Sequence, residues 1–378
     1  MANLLWKTLA RVTAAFGLLA APSAHAQMQL IMTARTSGSS YSLNKTITFD
    51  HTKVPSTQTN FPTLVTFTDA SFKSTGNGGS ITSGSGYDIV FSTGAGCGTP
   101  MTYEMTYWDP ATGFVEAWVS IASLSSSVDT VIHLCGGNAA ITTFRGGAAG
   151  AVWAAAGNYT LVSHFSNGTS LSLADSTSGA NTGTNSAATA VAGQIDGGIG
   201  TDVAKYATFP QSVIAGLTTA TFSMWVKTSA SSQQEELGSG LGICASNGFG
   251  AIQTWPSSGP GIGKQAGLLT DSAEVDDTTH TVVGDGNFHY LVGVYAPTTA
   301  SIQVDNNTPV VLTGLSNSAI GSSDALDVGS VCSNFSSGGL NFVGTIDELH
   351  ISTGTRTADW ITTEYNNQSA PGTFYSIT

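Results

Sequence analysis

Charge is scarce in this chain. Asp, Glu, Lys and Arg together make up 9% of its 378 residues, far below the usual quarter. Basic residues are the scarcest, 11 against 24 acids, which leaves a formal net charge of −13. An acidic chain repels phosphate backbones, so nucleic acid is not expected as a partner. Cysteines number four and none forms a C-x-x-C pair, which argues against a zinc site of that type. No apolar run beyond residue 26 approaches the roughly 18 residues of a membrane-spanning helix. No G-x-S-x-G elbow is found, and stretches such as "GSGLG" and "GPGIGK" lack the Lys-Ser/Thr ending of a phosphate-binding loop, so they read as turns. There is no repeat of 20–50 residues and no heptad pattern.

What is present begins with "MANLLWKTLARVTAAFGLLAAPSAHA". A short basic region, an apolar run and Ala24-His25-Ala26 have the anatomy of a secretory signal, with cleavage expected after Ala26. That predicts a protein that is secreted, periplasmic or at the cell surface. Disulfides are expected in such a compartment. Two cysteines fall in each half of the chain. Three pairings are open, and the domain division favours Cys97–Cys135 and Cys244–Cys332. Each bridge is expected to contribute about 3–4 kcal/mol.

Sparse charge can accompany disorder, but β-branched and aromatic runs are frequent enough here to build cores. "SLNKTITFD", "FPTLVTFT", "MTYEMTYW", "FVEAWVSI" and "DTVIHL" read as strands, separated by Gly, Ser, Asn and Asp. The composition shifts at 138–151, then strand-like runs resume from "YTLVSHF". The expected fold class is all-β, with two β-sandwich domains. Residues 1–26 are the signal and 27–39 an N-terminal segment. The first sandwich spans 40–140, a linker 141–151, and the second domain 152–378. Thr357 is placed to cap one short helix, "ADWITTEYNN", with Ile361 and Tyr365 on one face.

Among candidate site residues, Asp347 and Glu348 stand side by side in the strand "GTIDELHIS". Strict alternation would put Asp347 with Leu349 and Ile351 on the apolar face, and Glu348 with Ile346 and His350 on the other. Acids on opposite faces cannot flank one glycosidic bond. An inward Asp347 needs its charge compensated, and calcium is an economical solution. The oxygen-rich loop 175–184, opening at Asp175, could supply further ligands. "EVDDT", with Glu274 and Asp276, lacks the third acid of an E-x-D-x-E strand. His133, His164, His280, His289 and His350 share no spacing and are expected to be structural or surface residues. Trp108, Trp118, Trp153, Trp225 and Trp360 fit core patterns. Trp255, in the Pro/Gly loop "QTWPSSGPGIG", is the candidate ligand-binding aromatic.

Two stretches carry a resemblance. "GDGNFHYLVGVYAPTTASIQVDN" and "GTIDELHISTGTRTADWITTEYNNQSAPGTF" resemble strand pairs and the closing strand and helix of concanavalin A-like jelly rolls of the laminin-G-like type. Phe288, Tyr290 and Asn306 depart from that pattern. "FPTLVTF", "GYDIVFST", "MTYEMTYWDPATGFVEAWVSI" and "CGGN" resemble a bacterial domain of unknown function, the family numbered 2341. The first resemblance implies a jelly roll and a structural calcium at Asp347 and, more weakly, Asp175. The second implies an envelope location and no particular chemistry. The expected role is a secreted, non-catalytic binding or adhesion protein of the cell envelope, partnered by a glycan or another envelope protein. A glycan-active hydrolase or lyase with an unrecognised site is one rival. A structural component of an extracellular matrix or appendage is the other.

Overall fold

A computed structural model describes residues 40–165, 170–230, 234–239, 251–254, 266–279, 283–321, 325–330 and 341–378. Residues Tyr41–Thr378 form one compact unit. The strand-like runs become strands where the sequence placed them. β1 (Leu43–Phe49), β2 (Gln58–Thr68), β3 (Val90–Ser92), β4 (Tyr103–Asp109), β5 (Phe114–Leu124) and β6 (Thr130–Gly136) occupy the first third. Helix α1 (Ala151–Ala156) follows, starting at the last residue of the expected linker and opening the second domain. Next come β7 (Tyr159–Ser163), β8 (Thr184–Ser186), β9 (Thr189–Ala192), β10 (Gly197–Thr201), β11 (Tyr206–Phe209), β12 (Ala220–Lys227) and β13 (Gln234–Ser239). They continue through β14 (Ala251–Thr254), β15 (Ala266–Leu269), β16 (Glu274–Asp277), β17 (Phe288–Tyr295), β18 (Thr299–Val304) and β19 (Val310–Thr313). β20 (Leu326–Val328) and β21 (Gly344–Ser352) precede α2 (Ala358–Ser369), α3 (Pro371–Phe374) and β22 (Tyr375–Ile377).

These strands make four sheets. Sheet 1 has the order β22-β1-β6-β3 and sheet 2 the order β2-β5-β4. Sheet 3 runs β19-β18-β17-β12-β21-β10-β9, with β7 also paired to β21, and sheet 4 runs β16-β15-β14-β13-β20-β11-β8. All pairings between named strands are antiparallel. Sheets 1 and 2 face each other over one core, which takes Ile47, Phe49, Phe61, Val115, Ala117 and Leu134. Sheets 3 and 4 face each other over a larger one, with Phe222, Met224, Leu291, Leu237 and Ile346. The second pair is the expected jelly roll with its short C-terminal helix. Thr357 Oγ1 accepts the Trp360 N–H at 3.2 Å and caps that helix as the sequence predicted.

The two sandwiches stack. Leu64 and Trp118 on the outer face of sheet 2 pack with Val152 and Trp153 of α1 and Val162 of β7. α2 fills the neighbouring space: Ile361 joins Trp225, Tyr290 and Val292 on sheet 3, while Trp360 on its other side enters the first core. Of the tryptophans expected in the core, Trp118, Trp153, Trp225 and Trp360 are buried, and Trp108 is half-buried.

The domain limits expected from composition need one revision. β22 was assigned with the second domain, yet it pairs with β1 in sheet 1, Ile47 opposite Ile377. Nearby, Asn367 of α2 bonds both backbone groups of Leu64 (2.7 and 3.0 Å). The Tyr375 hydroxyl does the same for Thr66, at 2.7 Å each. Two side chains thus take the place of a partner strand along the outer edge of β2. Cys97 and Cys135 form the expected bridge, with Cα atoms 6.4 Å apart. Cys244, Cys332 and Trp255 lie outside the described residues.

Candidate functional site

Between the stacked sandwiches lies a group of charged side chains that the sequence scattered widely. β5 explains one wall. Val115, Ala117 and Val119 point into the first core, so alternation sends Glu116 and Trp118 to the opposite face. Both are buried there.

β21 explains the other wall, and it corrects the sequence expectation. Ser223 pairs with His350 and Trp225 with Asp347, so Glu348 and Leu349 together oppose Met224 alone. The strand bulges at this point, and Glu348 takes the extra residue in a left-handed conformation, φ 50°. The bulge resets the alternation. Ile346, Leu349 and Ile351 all face the jelly-roll core, while Glu348 and His350 sit on the other side with His164. The strict period of two, which put Leu349 with Asp347 and Ile346 with Glu348, fails at this one residue. A left-handed Glu costs about 1 kcal/mol or more, so the surroundings must hold it there.

What holds it is a pair of imidazoles. Glu348 Oε2 lies 2.7 Å from His164 Nδ1 and 3.0 Å from His350 Nε2. His164 follows β7, whose pairing with β21 sets Val162 opposite His350. Behind each ring stands another carboxylate. Glu104 Oε2 is 3.9 Å from His164 Nε2, and Glu364 Oε1 is 4.0 Å from His350 Nδ1. These are ion-pair distances, and neither outer nitrogen has a hydrogen-bond partner. Glu104 accepts from Ser176 Oγ (2.6 Å) and Trp153 Nε1 (2.8 Å). Glu364 accepts from the hydroxyls of Tyr159 (3.2 Å) and Tyr290 (3.3 Å). Trp118 stacks on the His164 ring at 5.6 Å and meets His350 edge-on at 5.5 Å. Arg356 closes the floor over Tyr159 and Trp360 and donates to the Gly157 carbonyl at the end of α1 (2.8 Å).

Burial and neighbouring charge pull these groups apart. Burial opposes the charge on His164, but Glu348 and Glu104 outweigh it and hold the imidazole protonated well above its usual range. Burial likewise opposes ionisation of Glu348, and His164 and His350 overcome it, keeping its carboxyl below the ordinary carboxylate range. Asp347 goes the other way. Its burial, then the charge of Glu348, push it well up. Glu116 is pushed up to about 7, chiefly by burial; Thr106 Oγ1 donates to one of its oxygens at 2.6 Å and the other has no partner.

The calcium expectation meets a different geometry. Asp347 Oδ2 accepts the Ile195 N–H at 2.9 Å, and its other oxygen has no hydrogen-bond partner. Gly193 passes so close that a Cβ there would come within 2.5 Å of Asp347 Oδ2. Asp175 spends its two oxygens on Val162, Thr177 and Asn181, five hydrogen bonds in all. A carboxylate offers about four lone-pair sites, so protein donors already fill Asp175. Among the described residues Asp347 and Asp175 share no hydrogen-bond partner. The 175–184 loop is held by Asp175 itself.

Next to the cluster a cleft of about 580 Å³ opens between the sandwiches. Tyr87, Tyr103 and Phe144 line it, with Glu104, Asp175, Ser176 and the small residues of 147–151. Phe144 is 38% exposed and meets Tyr103 edge-on at 5.0 Å and Tyr87 at 6.5 Å. A smaller cavity of about 180 Å³ shares Glu104 and Ser176 with it and reaches His164. A depression of about 640 Å³ beside Lys205 and Lys227 shares no residue with either. Sequence reasoning missed Phe144, Glu104 and the meeting of His164 with His350. For Phe144 the signal was a lone aromatic inside a small-residue stretch.

No protein-family model matches the chain, and no curated protein sequence does. Among solved structures it is similar to domain 4 of an extracellular arabinanase from Geobacillus stearothermophilus, in complex with arabinotriose. That match has 17% identity and TM-score 0.45, and covers 55% of this chain and 98% of that one. It is similar to the binding domain of a botulinum neurotoxin in complex with SialylT, at 10% identity and TM-score 0.41, over 56% and 52%. It is also similar to a Trypanosoma rangeli sialidase in complex with the inhibitor DANA, at 14% identity and TM-score 0.38, over 55% and 32%. The chain thus spans about half of the toxin domain and a third of the sialidase. At such identities and TM-scores none of the three bears on this chain's ligand.

Proposed function

We propose that this chain is a non-catalytic, extracellular binding protein of the cell envelope, and that the cleft between its sandwiches takes a carbohydrate. The observation that carries the reading is Phe144, a partly exposed aromatic at a largely apolar cleft that Glu104, Asp175 and Ser176 also line. A sugar ring has an apolar C–H face and a rim of hydroxyls. An aromatic face and a few fixed polar groups are what such a ligand requires. The 580 Å³ volume is in the range of small-ligand sites. Export is supported by the signal-like first 26 residues and by the Cys97–Cys135 bridge. Among the described residues no helix is long and apolar enough to cross a membrane.

The hydrolase alternative needs two carboxyl groups facing one bond. The acids lining this cleft are otherwise engaged: Asp175 by five donors, Glu104 by Ser176, Trp153 and His164. That favours binding over cleavage. The test is a glycan-array screen of residues 27–378, followed by calorimetry with the best ligand. Phe144→Ala is expected to weaken binding about tenfold or more while leaving the melting temperature nearly unchanged. Full affinity in that variant would remove the cleft from the proposal.

A further inference from the structure

We propose that His164, Glu348 and His350 form a binding site for a transition-metal cation of the Zn2+ class. The inference does not depend on the glycan reading. One donor atom from each of the three residues lies within 4.8 Å of the other two. Donors around one zinc ion stand about 3–3.5 Å apart, given bonds of about 2.0–2.2 Å to each. Glu348 Oε2 stands 2.7 and 3.0 Å from the two ring nitrogens, so the side chains would part by about half an ångström to admit an ion. Two imidazoles and one carboxylate favour a transition metal over calcium or magnesium, which take oxygen ligands.

The outer layer fits the same reading. Metal-bound histidines usually donate their second N–H to a carboxylate or carbonyl, which fixes the tautomer and the ring angle. Here His164 turns its outer nitrogen to Glu104 and His350 turns its outer nitrogen to Glu364. Both outer nitrogens lack a hydrogen-bond partner, and the gaps of 3.9 and 4.0 Å are about 1 Å longer than a bond. His350 and Glu348 are 2% and 1% exposed, so water cannot serve them from outside. An ion at the centre would displace the protons that the inner nitrogens share with Glu348 and draw on the lone pairs left there, leaving each outer N–H for its own carboxylate. A cavity of roughly 180 Å³ lined by Glu104 and Ser176 reaches His164 at the edge of the cluster. The left-handed backbone at Glu348 aims its carboxylate between the rings, an expense of the kind that functional sites carry.

A second His/acid group, half-buried Asp50 and His51 with exposed Asp129, is the natural competitor. The experiment uses tag-free residues 27–378, stripped with chelator and dialysed. Zn2+ is titrated by calorimetry, and Co2+ by visible absorption, which reports nitrogen and carboxylate ligation directly. One equivalent is expected to bind. His164→Ala should weaken it at least a hundredfold, and His51→Ala should leave it unchanged. Glu104→Gln keeps all three ligands and should weaken binding tenfold to a hundredfold; it serves if His164→Ala does not fold. The proposal is overturned by no stoichiometric uptake of either ion, by uptake that survives both variants, or by uptake lost only in His51→Ala.

Discussion

Replacing Glu116 with Gln should make this protein's stability, relative to wild type, rise as pH rises. Glu116 is 2% exposed, between the sandwiches, with one oxygen bonded to Thr106 and the other unpartnered. Burial, with the charges of Glu348 and Asp196, pushes its carboxyl from 4.5 up to about 7. A folded-state value above the unfolded one means folding favours the protonated form. The contribution is fully present below about pH 4.5 and is lost as pH rises through about 7. The gap corresponds to about 3 kcal/mol once both states are ionised. Gln cannot ionise, so the variant escapes that loss. It also brings an amide N–H that needs an acceptor, at a cost of about 1–3 kcal/mol if none is found, but that cost does not vary with pH. The quantity to measure is therefore the difference between variant and wild type, by urea unfolding at intervals from pH 4 to pH 8.5. It should grow by about 3 kcal/mol across the window. At about 2 cal/mol/K per residue over Tyr41–Thr378, that is roughly 4 °C in melting temperature. Glu235 is also pushed up by burial, but it titrates in both proteins and cancels; Asp347 is raised chiefly by burial and Glu348, with a smaller push from Glu116 itself, so it cancels only in part. Parallel curves at every pH would refute the reasoning.

Two further predictions concern the first sandwich. The Cys97–Cys135 bridge spans 38 positions, so the double Cys→Ser variant should lose about 4 kcal/mol; denaturant unfolding with and without reductant checks this, and an unchanged midpoint would contradict it. Asn367→Ala strips partners from both backbone groups of Leu64 and should lose about 2–4 kcal/mol. Amide exchange at Leu64 should quicken far more than at Val119, and equal protection at both would show that water or a neighbour replaces Asn367.

The architecture was legible because strand runs and turn residues alternate plainly, and because Thr357 sits where a cap belongs. The site was legible only in fragments. "GTIDELHIS" has a regular pattern, and nothing at Glu348 announces a bulge, which glycine usually marks. One extra residue reversed the expected faces of everything before it. His164 and His350 share no spacing because the pairing of β7 with β21 joins them across 186 positions of chain, with Val162 as the register partner of His350. Long-range strand pairing of this kind leaves no local signature. Asp175 is ambiguous for another reason: an acid in a Ser/Thr/Asn/Gly loop looks alike whether it binds a cation or folds the loop around itself.

The side chains that stand in for a strand beside β2 bear on the order of folding. Asn367 and Tyr375 reach partners 303 and 309 positions earlier, and β22 completes the sheet that β1 begins. The first sandwich is encoded early but is finished last. Until the C-terminal segment arrives, β1 and β2 each keep a row of unsatisfied amides and carbonyls, open to any extended chain that passes. Contacts of such sequence separation also slow folding. A fragment ending near residue 140 should therefore be prone to strand-to-strand association, and the last dozen residues act less as a tail than as the fastener that closes the first sandwich.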